Sequence, residues 1–111
     1  MKIRNGFVSN SSSCSFVCQT KYTLKETKKI LQKMLNSYND TFNENNKFED
    51  VFGKLYIGDT NTDIEFKKWG QNPHAKIKEK IIIDSKSDNT IPWSIMKLIE
   101  EKFNADHYHW G

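Results

Sequence analysis

The run Thr23-Leu-Lys-Glu26 and the twelve residues after it constrain this chain most. Thr and Glu three positions apart form a capping box, in which each side chain bonds the other's backbone N–H and starts a helix. Leu24, Ile30, Leu31, Met34, Leu35 and Tyr38 then recur at helical spacing. They make one apolar face, and Lys25, Lys28, Lys29 and Lys33 fall mostly on the other. A helix with one dry face needs a sheet or other helices to cover it, so the rest of the chain must supply that layer.

The remaining segments read as strands and one more helix. Residues 14–20 alternate, with Phe16 and Cys18 on one side and Val17 on the other. Asparagine-rich residues 36–46 read as a surface loop, followed by a helical turn that docks Phe48 and Phe52 before Gly53. Lys54–Ile57 and Asp63–Phe66 each alternate, and Gly58–Thr62 between them has turn chemistry, so a hairpin is expected. Gly70–Pro73 is a further turn, and residues 76–84 read as a central strand. Pro92 falls in the first turn of a second helix capped by Asn89 or Thr90, with Ile95, Met96, Leu98, Ile99 and Phe103 facing inward. His107–Trp110 alternates as a last strand.

The fold class expected is therefore α+β. Four to five mostly antiparallel strands carry two helices on one face, in a ferredoxin-like βαββ(β)αβ order. At 111 residues the chain is one domain, 1–111, with a serine-rich N-terminal segment over 1–13. Charged residues at 28% are interspersed by sign, which marks a solvated surface. No apolar run approaches the length that spans a bilayer, and no secretory h-region is present, so a cytoplasmic protein is expected.

Residues Gly6 to Phe16, Gly-Phe-Val-Ser-Asn-Ser-Ser-Ser-Cys-Ser-Phe, resemble the opening of small, uncharacterised proteins of bacteriophages and related mobile elements. Those proteins begin with a Gly-Phe-Val-Ser-Asn run of serines ending in Phe, and Cys14 here replaces one serine. The resemblance covers about a tenth of the chain. It implies an origin, not a mechanism. It motivates reading the serine run as an addressing or modification tag, against a packed loop.

Several residue groups bear on function. Trp69, Trp93 and Trp110 are many indoles for this length, and exposed Trp anchors protein interfaces. With the phage-type opening, they make a host-protein partner the leading expectation, an anti-defence inhibitor being one version. The C-terminal edge strand also allows a homodimer. The alternative is a nucleic-acid-binding module on an open sheet face, using Tyr56, Lys67, Lys68, Lys76, Lys78 and Lys80. Against it, one arginine among 17 basic residues gives little means of reading guanine edges.

Cys14, Cys18, His107 and His109 are weak metal candidates, because adjacent first and last strands would bring them together. On a strand, Cys14 and Cys18 lie too far apart to bridge, so free thiols are expected. Cys14 or a serine of 9–15 with His74, His107 or His109 as base lacks any nucleophile signature. No catalytic residue and no cofactor is assigned, and a non-enzymatic protein is expected.

Overall fold

The computed structural model describes residues 13–71, 77–87 and 90–109. The serine-rich run before Ser13, together with His74, Lys76, Asn89 and Trp110, lies outside the described residues. Eight elements follow in chain order: β1 (Cys14–Cys18), α1 (Leu24–Phe42), α2 (Phe48–Val51), β2 (Phe52–Ile57), α3 (Thr60–Lys68), β3 (Ile81–Ser85), α4 (Trp93–Phe103) and β4 (Asp106–His109). The protein is α+β, with a four-stranded sheet in the order β2-β3-β1-β4. All three neighbouring pairs are antiparallel.

The sheet is dry on both faces, and strand alternation divides the core in two. Cys14, Phe16 and Cys18 of β1 and Ile81 and Ile83 of β3 pack with Leu31 and Leu35 of α1 and Ile95, Ile99 and Phe103 of α4. Val17, Ile82 and Tyr108 point the opposite way and meet Phe66 of α3 and Ile77. Each fully buried aliphatic or aromatic side chain contributes about 1.5–3 kcal/mol.

α1 begins as the capping box requires. Glu26 N–H donates to Thr23 Oγ1 at 3.0 Å, and Thr23 N–H donates to the Glu26 carboxylate at 2.9 Å. The helix runs further than the asparagine-rich composition suggests, through residue 42. The Tyr38 and Phe42 rings meet at a tilt with centroids 4.7 Å apart, and Gln32 bonds Asn36 one turn on. Asn43 then stops the helix in the left-handed conformation, φ 54°. Asn39 folds the loop back through bonds to the backbone of Asn46 at 3.0 and 3.1 Å. Asparagine here is therefore cap and staple.

The expected hairpin is corrected: residues 60–68 form α3, not a strand. Asp59 caps it by accepting from Thr62 N–H at 3.0 Å, while Asp59 N–H donates to the Thr62 hydroxyl at 3.1 Å. Asp63 and Lys67 pair one turn apart at 3.0 Å, and two lysines close the last turn, where helix carbonyls favour cations. Thr62 and Phe66, four apart, are the buried residues, whereas Ile64 is 56% exposed.

The long central strand is also shortened. Glu79 takes a left-handed φ of 68°, and Lys80 N–H turns back to Ile77 O at 3.0 Å, so pairing in β3 begins at Ile81. Pro92 is the N-cap position of α4 and not inside its first turn. Thr90 does not cap α4 but ties the preceding loop: its hydroxyl accepts from Lys86 N–H at 2.9 Å and donates to Val51 O at 2.8 Å.

Gly58 seals β2 to the turn before β3. A Cβ there would sit 2.5 Å from both Ile77 O and Ile77 Cγ2, and 2.9 Å from Ile82 Cδ1. Gly58→Ala is therefore expected to destabilise by about 1–3 kcal/mol, read as a lower urea midpoint at unchanged slope. A neutral result would place Ile77 elsewhere. No helix among the described residues is long and apolar enough to cross a membrane.

Candidate functional site

Three surfaces carry the chemistry-bearing side chains. The first is the start of α4. Trp93 is its first residue and is 70% exposed. The Lys97 ammonium, one turn on, sits 4.7 Å from the ring centroid. Such a cation adds about 0.5–1 kcal/mol at an exposed ring and fixes how the indole is presented. Trp69, at the C-cap of α3, is 43% exposed, and its Nε1–H donates to Glu65 at 3.2 Å.

The second lies on the α3 side of the sheet. Ser15 pairs with Asp84 across β1 and β3, and its hydroxyl donates to the Asp84 carboxylate at 2.6 Å. Burial pushes the Asp84 carboxyl up to about 6, against the Ser15 bond and the Lys54 ammonium, which both lower it. Tyr56 of β2 stands nearby with Lys54 Nζ 4.7 Å from its ring centroid. Burial raises the Tyr56 phenol well above its usual range, and the carboxylates of Asp84, Asp59 and Glu65 add to this. Beside Tyr56 opens a cavity of about 430 Å³, lined by Lys54, Ile57, Asp59, Asn61, Thr62 and Glu65.

The third is the β1–β4 edge, where Cys14 lies opposite His109 and Phe16 opposite His107. The first and last strands are thus neighbours, and alternation puts these four side chains with Cys18 on the α1–α4 side. His107 stacks on Phe16 at 4.5 Å and lies 4.3 Å from the His109 ring. Its Nδ1 is 3.5 Å from Glu100. Burial and the neighbouring His109 hold His107 below its ordinary value, with Glu100 opposing. Among the described residues no group of three or more His, Cys, Asp or Glu side chains is arranged to hold a metal ion.

Both cysteines are free and buried. Burial pushes Cys14 up to about 11 and Cys18 up to about 12, so both are protonated thiols at neutral pH. A nucleophilic sulfur needs the opposite shift. The Ser15–Asp84 pair has no imidazole on its own side of the sheet among the described residues, since His107 and His109 face the other way.

The lysines do not share one strand surface. Lys67 and Lys68 close α3, with Lys67 bonded to Asp63, while Lys78 and Lys80 sit at the turn before β3. α3 itself lies across the face that the alternative reading needs open. Ser15 falls within the serine run considered for a nucleophile, but Asp84 is absent from the residues singled out in the sequence, although a signal is there. Asp84 follows three isoleucines and shares the face of Ile82. A carboxylate at that phase of a buried strand is a half-buried polar group at the margin of the core.

No known protein family's sequence profile matches this chain, and comparison with curated proteins and with solved structures gives no match.

Proposed function

We propose that this protein is a small, non-catalytic accessory protein of phage type that works in the host cytoplasm by binding a host protein. An inhibitor of a host defence component is the version in view. The observation that carries the reading is Trp93: a large indole held 70% exposed on the first turn of a packed helix. Exposing that much aromatic surface forgoes burial free energy, and a rigid aromatic on a helix loses little entropy when a partner covers it. The Gly6–Phe16 pattern is the ground for placing the partner in a host cell.

We read the frame as ferredoxin-like, with α3 inserted between β2 and β3. The order β2-β3-β1-β4, its antiparallel pairing, and the helices between β1 and β2 and between β3 and β4 support this. Fold alone assigns no activity, so the function rests on the exposed site.

Trp93→Ala tests the proposal. An exposed position leaves stability within roughly 0.5 kcal/mol. Loss of an interface anchor costs about 2 kcal/mol or more, roughly thirtyfold in affinity. The expected result is an unchanged thermal midpoint with loss of the partner that co-purifies with the wild-type protein. Equal recovery of that partner by Trp93→Ala contradicts the assignment.

A further inference from the structure

The outer edge of β2 is a second surface, with its own recognition chemistry. β2 ends the sheet, and among the described residues no strand lies beyond it. A bulge between Phe52 and Leu55 twists the first part of the strand, leaving Leu55, Tyr56 and Ile57 in regular register with Ile83, Ile82 and Ile81. Gly58 N–H donates inward to Lys80 O at 2.8 Å. Antiparallel alternation then turns the N–H and C=O groups of Leu55 and Ile57 outward, towards a strand that could be added.

Beside that edge, on the α3 side, lies the cavity of about 430 Å³. The Tyr56 ring borders it, with Asp59 and Glu65 at the rim. Both carboxylates act on the Tyr56 phenol, as does Asp84 beneath. On a chain of net charge +3 this is a local reversal of sign. The protein already seats one cation here, Lys54, over the Tyr56 ring.

We infer that the β2 edge and the Tyr56 cavity together bind an extended basic peptide segment of a partner. Its backbone adds a strand beside Leu55–Ile57. A lysine or arginine opposite Tyr56 falls on the α3 side and reaches the ring and the Asp59 and Glu65 carboxylates. Strand addition supplies affinity through main-chain bonds, and alternate side chains in pockets supply specificity. An ammonium or guanidinium over Tyr56 then replaces Lys54.

The test uses a fluorescein-labelled hexapeptide of alternating threonine and arginine, read by anisotropy. Companions carry glutamate for arginine, or N-methyl groups on alternate amides. The expected result is binding of the arginine peptide, weakened at least tenfold by either companion change. Protein variants Glu65→Lys and Asn61→Lys, both at exposed cavity positions, should weaken it at least as much while keeping the wild-type circular dichroism. Amide exchange at Leu55 and Ile57 should slow when the peptide binds. Absence of binding, equal binding of either companion peptide, or indifference of both folded variants would overturn the inference. So would a peptide-free dimer that protects the same two amides, which would give the edge to a second copy.

Discussion

Phe66→Ala is expected to lower the unfolding free energy by roughly 3–5 kcal/mol, while Ile64→Ala changes it by under about 1 kcal/mol. Phe66 is 1% exposed and meets Tyr108 edge-on at 5.4 Å, with Val17, Ile77 and Ile82 around it. Truncation removes the ring's transfer free energy and leaves a cavity that α3, tied at Asp59 and Thr62, only partly closes. Ile64 is 56% exposed and loses little. The contrast separates helix from hairpin. In a strand, positions 64 and 66 share a face, and both truncations would cost alike. Native domains hold about 5–15 kcal/mol, so the Phe66 loss is a large share of the total. Urea melts of the two variants decide it, and equal losses would contradict α3.

Asp84→Asn is expected to stabilise the protein at pH 8 by about 1–3 kcal/mol. The carboxyl is buried and pushed from an ordinary 3.8 up to about 6, and each pKa unit corresponds to about 1.4 kcal/mol. The sign follows from linkage. A folded-state pKa above the unfolded one means the neutral acid is favoured in the fold. That stability is fully present below about pH 4 and is lost as pH rises through about 6. Charged Asp84 is then held by the Ser15 hydroxyl and the Lys54 ammonium, with Tyr56 and Cys14 nearby. Asparagine keeps an acceptor for Ser15 and carries no charge, but its amide protons need partners, which sets the lower end of the range. The check is the difference between wild-type and Asp84→Asn urea midpoints at pH 4.5, 6 and 8. It should grow with pH. A flat difference, or one favouring the wild type at pH 8, would contradict the buried-carboxylate account.

Much of the frame is legible in the sequence alone. The Thr23–Glu26 box, the α1 stripe and the alternation of residues 14–18 all stand where local spacing puts them, because each is set by near neighbours along the chain. α3 is not legible, for a physical reason. Ile64 and Phe66 satisfy a two-residue period, and Asp59–Thr62 caps with a threonine where the familiar box has Glu or Gln. Only burial of Thr62 with Phe66 shows which period holds, and burial is decided by the sheet beneath. The strand expected over 76–84 fails likewise at Glu79, whose left-handed turn depends on Gly58 across the gap.

The two proposed binding surfaces are half visible in the same way. Trp93 is where the helix pattern puts it, off the Ile95–Ile99–Phe103 stripe and therefore exposed. The Tyr56 surroundings are hidden, since Asp59 and Glu65 reach the ring only because residues 60–68 are helical.

The measurement that bears most directly on the function is affinity capture from host lysate, divided into nuclease-treated and untreated halves and read by mass spectrometry. A protein partner predicts the same discrete species in both halves, retained at raised salt. Recovery of nucleic acid and its associated proteins alone, lost on treatment and steeply weakened by salt, would contradict it and favour the lysines.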